Sequence, residues 1–251
     1  MNRKYVLCCL SILLSASLQG CTTIYQEAIS GSGNISEETY TFAGLTGVEL
    51  ATIGELEIHL GDKEELQVST DDNLQQYFEA AQDGEVLKIQ TRGVVSLRPS
   101  RAVRYTLTVK GLEFIGLSSS GNAHAPALSA DRFEVRIKSS GDLSVDRIEA
   151  NSLGVHITSS GDVKIGEGVV DEQEIQIHSS GDYDGESVRS SQATVRLSSR
   201  GNARLWVERS LEAHLTSSGS VYYQGDPEVD ESHSSTGRVR RIRERVSPAQ
   251  R

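Results

Sequence analysis

Along the second half of the chain, apolar and polar residues alternate with a period of two, and the alternation itself repeats. Counted from a recurrent glycine, apolar residues stand six places before it (Val135, Val155, Ile175, Val195) and four before it (Ile137, Ile157, Ile177, Leu197, and Leu215 in a shorter repeat). They return two places after it (Leu143, Val163, Tyr183, Ala203, Val221) and four after it (Val145, Ile165, Leu205, Tyr223), with Gly185 in that last file. Polar residues such as Glu134, Arg136, Ser144 and Lys164 fill the positions between. This pattern predicts strands with one buried face. The glycines are Gly121, Gly141, Gly161, Gly181, Gly201, Gly219 and Gly237, at intervals of 20, 20, 20, 20, 18 and 18 residues. A short fixed period means one unit stacked on copies of itself, so that like strands lie parallel ~4.8 Å apart and inward Val, Ile and Leu form ladders. The predicted fold is all-β, a single-domain, right-handed parallel β-helix (solenoid) with coils of ~20 residues.

Four of these glycines, Gly121, Gly141, Gly161 and Gly181, are the third residue of the tetrapeptide Ser-Ser-Gly-Asp/Asn, which the alternation places at a corner between strands. Ser139, Gly141, Ser159, Gly161, Ser179 and Gly181 are the expected structural corner. The first serine of each pair has the parity of the inward residues, so its hydroxyl is expected to bond its neighbours or freed backbone groups. The glycine is expected to supply a backbone angle that a β-carbon forbids.

The N-terminal half is less regular. Val48–Leu50 and 53–60 alternate cleanly, 71–78 has the form of a capped short helix, and Asp83-Gly84 is a hairpin-turn signal. Val103, Tyr105, Leu107 and Val109 share one face. At the other end, Glu231 and His233 stand where earlier repeats hold Val or Ile, as a solvated last coil requires. The expected organisation is a signal peptide at 1–20, a tether at 21–32, the β-helix at 33–242 and a basic tail at 243–251.

Arg3 and Lys4, the apolar stretch from Tyr5 to Leu18, and Gly20 before Cys21 compose an export signal too short for a comfortable membrane span. The Cys21 junction resembles a bacterial lipoprotein signal, which implies lipidation of Cys21. With Thr22 after it, the resemblance implies an outer-membrane lipid anchor, facing either periplasm or medium. Cys8 and Cys9 belong to the signal, so the exported chain has no internal disulfide and depends on its core. Residues 21–237 hold 17 basic and 34 acidic residues, a net charge of −17. Such a body repels nucleic acid.

Candidate chemistry is sparse. Asp142, Asp162 and Asp182 form an outward file ~4.8 Å apart, within the range used by paired glycosidase carboxylates and also a place for a weak calcium site. Arg136, His156 and Arg196 form a second outward column, a candidate surface for an acidic glycan or a protein partner. Metal-ligand spacings, phosphate loops and nucleophile elbows are absent, and no metal or cofactor is expected.

The segments GSGN (31–34), FAGLTGVEL (42–50), IGELEIHLGD (53–62), DNLQQYF (72–78) and GLEFIGLSSSGNA (111–123), with the SSGD series, resemble the head-GIN-domain family, adhesin-like proteins of the bacterial envelope. The resemblance implies a β-helical fold and export to the envelope, and brings no catalytic residues. The expected function is a non-catalytic envelope lipoprotein presenting a binding or scaffold surface to an envelope protein or acidic glycan. The alternative is a pectinase-like enzyme acting on polysaccharide.

Overall fold

The structure, a computed structural model, describes residues 28–242. The expected signal, Cys21, most of the tether and the tail at 243–251 lie outside the described residues. Within them the chain is a parallel β-solenoid of about six turns. Leu143–Ile157 pairs in register with Val163–Ile177, and that strand with Tyr183–Leu197, so Val155, Ile175 and Val195 lie side by side. Pairing lapses at Asp146 and Asn151 and at the Ser-Ser-Gly corner, which divides this coil into three sides. The shorter spacing of the last repeats is absorbed by register shifts between Gly185 and Arg189 and between Ser190 and Gln192.

The inward parity is as the alternation requires. Val135, Val155, Ile175 and Val195 are fully buried, as are Ile137, Ile157 and Ile177. One irregular group sits inside the ladders. Tyr183 fills the interior, its hydroxyl donates to Gln173 Oε1 at 2.6 Å, and both side chains are buried. Gly185 makes the room, since a Cβ there would stand 2.2 Å from the Tyr183 oxygen. Burial pushes the phenol well above its ordinary pKa. Gln173→Leu should leave that hydroxyl without an acceptor and cost about 1–3 kcal/mol in denaturant melts. Adding Tyr183→Phe should recover most of the loss, because neither polar group then remains.

Two further coils extend the stack at the N-terminal end. Gly47–Ala51 and Glu55–Leu60 lie parallel to Phe114–Leu117 and Asn122–Ala125, and Val86–Thr91 and Arg104–Val109 lie beyond them. Here antiparallel strands join the parallel stack, one pair of them at the hairpin that Asp83-Gly84 signals. Phe78–Asp83 folds back antiparallel on Val86–Thr91 through Gly84 (φ 60°), Glu65–Asp71 runs antiparallel to Arg104–Val109, and Ile35–Thr41 antiparallel to Glu65–Asp71. A first coil would otherwise expose an open strand edge, and these short antiparallel partners cover it. The expected short helix is a single 3₁₀ turn, Gln75–Tyr77.

The tether boundary also moves. Ile29–Ser30 pairs with Leu97–Arg98, so residues 29–32 belong to the folded body. Buried Asp71 fixes this junction, accepting the Ser100 hydroxyl at 2.6 Å and the amides of Ser100 and Gly33 at 2.8 Å each. The Ser100 hydroxyl, foremost, and these amides hold its carboxyl below the ordinary value. Its contribution is complete above the ordinary carboxylate pKa and is lost as pH falls through the lowered one. At the far end, Glu231 lies beside Ala213 and His233 beside Leu215, both exposed, so the last coil presents polar side chains to water.

Candidate binding groove

The corner works differently from its expected mechanism. None of the corner glycines from Gly121 to Gly237 has positive φ, although their N-terminal counterpart Gly54 does (φ 119°), and no non-glycine residue among those described has it. What requires glycine is proximity: a Cβ would stand 2.0 Å from the Gly121 carbonyl oxygen at Gly141, 2.1 Å from that of Gly141 at Gly161, and 2.2 Å from that of Gly161 at Gly181. Each corner glycine rests on the corner of the coil before it. The amides of Gly161, Gly181 and Gly201 donate to the carbonyls of Ser139, Ser159 and Ser179 at 3.0–3.2 Å. The serine column therefore acts chiefly through its backbone, and the Ser139 hydroxyl adds a bond to the Ser119 carbonyl.

The aspartate file is built into the stacking. Asn122 Oδ1 accepts the Asp142 amide at 2.9 Å, Asp142 Oδ1 the Asp162 amide at 2.8 Å, and Asp162 Oδ1 the Asp182 amide at 2.8 Å. Asp182 and Asn202 continue the series to the Asn202 and Ser220 amides, at 2.7 and 3.1 Å. One oxygen of each carboxylate is thus committed to the next coil and the other remains for solvent or a ligand. Among the described residues no three metal-binding side chains converge on one point.

Two residues along the strand, a second outward column runs parallel to the file: Glu57, His124, Ser144, Lys164, Asp184 and Arg204. Between the columns lies an open groove of about 530 Å³ crossing several coils, with Glu55, Asn122, Asp142, Asp162 and Asp182 along one side. His124 joins adjacent coils, with Nδ1 2.8 Å from Glu57 and Nε2 3.3 Å from Asp146. The Glu57 hydrogen bond, foremost, raises its pKa, so this clasp is complete below the ordinary histidine value and is lost as pH rises through the raised one.

Arg136, His156 and Arg196 do not join this groove. They lie on the strand before the corner, and their charge is met there. Arg136 Nε is 2.6 Å from Glu134, His156 Nε2 is 3.9 Å from the same carboxylate, and Arg196 is 3.3 Å from Glu174. The expected basic stripe is a mixed-charge surface, poorly suited to an acidic glycan. The groove column from His124 to Arg204 and the N-terminal glutamates Glu55 and Glu57 escaped the sequence reading, although a signal for the glutamates exists. Gly54-Glu55-Leu56-Glu57 matches Gly121-Asn122-Ala123-His124 position for position, and the structure pairs them in that register.

The groove is open, and Asp142, Asp162 and Asp182 each have one carboxylate oxygen bonded to the backbone amide of the next coil.

Comparison with known proteins agrees with the fold. The family described as "Putative auto-transporter adhesin, head GIN domain" matches residues 44–227. The crystal structure of a "putative adhesin" from Bacteroides fragilis superposes with a TM-score of 0.81 at 20% identity, covering 86% of this chain and 100% of that one. A "putative lipid binding protein" from Parabacteroides distasonis gives 0.69 at 19% identity with the same coverage. A "putative adhesin" from Parabacteroides merdae gives 0.68 at 16% identity, covering 86% of this chain and 99% of that one. No curated protein matches the chain in sequence.

Proposed function

The chain belongs to the head-GIN-domain family, and we propose that it is a non-catalytic binding protein of the cell envelope, held at the outer membrane by the lipid that the Gly20-Cys21 junction implies. The groove between the two outward columns is the observation that carries this reading: along one side it repeats the Asp142, Asp162 and Asp182 carboxylates at successive coils, and along the other it sets a varied row of charged and polar groups. Its lining holds six carboxylates, Glu55, Glu57, Asp142, Asp162, Asp182 and Asp184, against Lys164, Arg204 and His124. That sign favours an envelope protein with a basic, donor-rich segment over an acidic glycan. Repeated weak contacts along one groove add up to useful affinity without any deep pocket.

No helix among the described residues is long and apolar enough to cross a membrane, so in this reading attachment falls to the lipid. Cys21→Ser should move the protein from the membrane fraction to the soluble envelope fraction. Retention of the variant in membranes at the wild-type level would refute lipid anchorage.

A further inference from the structure

The corner of the outermost N-terminal coil differs from all the others. Val86–Thr91 and Arg104–Val109 stand in the stack as the strands before and after a corner, so residues 92–103 are that coil's counterpart of short turns such as 52–54, 118–121 and 158–162. The Thr52 and Thr91 hydroxyls, 2.6 Å apart, tie this corner to the next. The chain has 35 acidic residues, yet residues 91–104 contain none. They contain Arg92, Arg98, Arg101 and Arg104, all exposed. Arg104 lies beside Glu55 in the outward file. Arg92, Arg98 and Arg101 belong to no ion pair among the described residues. The nearby acids are engaged elsewhere, Asp71 with Ser100 and Gly33, Asp72 with Ser32, and Glu38, on the side of Arg92, with the Tyr40 hydroxyl. Within the same loop Val94 is 86% exposed, the highest value among the large hydrophobic side chains.

The tether enters the fold against this loop. The Ile29 amide donates to the Ser96 carbonyl at 2.8 Å and the Gly31 amide to the Arg98 carbonyl at 2.9 Å. Seven residues separate Cys21 from Ile29, and the eight steps along the chain reach at most roughly 28 Å. We infer that loop 92–101 is a second membrane contact, which seats this end of the solenoid on an anionic phospholipid surface through Arg92, Arg98 and Arg101, with Val94 entering the headgroup region. The inference deepens the lipid-anchor reading and rests on it for the loop's position. A single acyl chain holds a protein only marginally, and a basic cluster beside it supplies the second attachment. With the loop against the lipid, the acidic remainder of the solenoid extends away from a surface that repels it.

The test uses the exported chain carrying Cys21→Ser, which has no other cysteine, so Val94→Cys accepts one environment-sensitive fluorophore. Phosphatidylglycerol vesicles should shift its emission to the blue. Neutral phosphatidylcholine vesicles should not, and high salt should reverse the shift. Replacing Arg92, Arg98 and Arg101 with serine should weaken the vesicle interaction about 100-fold. The same label at Val169→Cys, on the flank of the stack, should stay silent. No shift at position 94, an equal shift at 169, or binding that survives the triple replacement and vanishes on removal of residues 243–251 would each overturn the proposal. Fractionation of Cys21→Ser in cells reports the lipid independently, so either idea can fail alone.

Discussion

Ile157→Asp should abolish folding. The side chain is fully buried, between Ile137 and Ile177 in the stacked register. Replacement removes about 1.5–3 kcal/mol of apolar burial and leaves a carboxylate in the ladder without a cation to meet it. The combined penalty, several kcal/mol for the charge alone, is comparable to the ~5–15 kcal/mol that holds a whole domain together. Expression should give insoluble or protease-sensitive protein, whereas Ile157→Val should cost only about 0.5–1.5 kcal/mol in denaturant melts. A soluble Ile157→Asp variant with a cooperative melt would mean that this position does not face the core.

Gly161→Ala should come close to it in effect. The added carbon would meet the Gly141 carbonyl oxygen at 2.1 Å and that of Ser139 at 2.8 Å, and both atoms are backbone. Two coils must separate locally, which breaks the Gly161-to-Ser139 hydrogen bond and strains the Asp162-to-Asp142 bond beside it. A loss of about 3–5 kcal/mol is expected from clash and broken pairing together. Gly154→Ala is the control: its nearest neighbour would be 3.8 Å away, and stability should stay level or rise by about 0.4–1 kcal/mol. Equal effects at the two glycines would remove close coil contact as the reason for the corner sequence.

Those two glycines illustrate what sequence alone conveys. Alternation fixes parity, so the burial of Val155, Ile157 and Val163 was legible, and the period fixes stacking, so the aspartate file was legible as a file. The use of its oxygens was not, because a bond from one coil's carboxylate to the next coil's amide depends on rise and pleat rather than on residue type. The corner glycine was recognised for the wrong reason, since φ is local and the crowding comes from twenty residues away. Gln173 was invisible because only the neighbouring ladder shows that Tyr183 needs an acceptor there. Arg136, His156 and Arg196 were read as a column without weighing Glu134 and Glu174 beside them. Of the antiparallel N-terminal cap only the Asp83-Gly84 hairpin was legible, because the pairings of Ile35–Thr41 and Glu65–Asp71 lack the repeat and carry no period to follow.

The central functional claim is that the groove beside the aspartate file is where a partner sits. Site-specific photo-crosslinking in intact cells addresses it directly, with the reactive residue at Lys164 inside the groove or at Val169 on another side of the same coil. The account predicts a discrete adduct with an envelope protein from position 164 and none from 169. Adducts from 169 alone, or the same adducts from both positions, would contradict it.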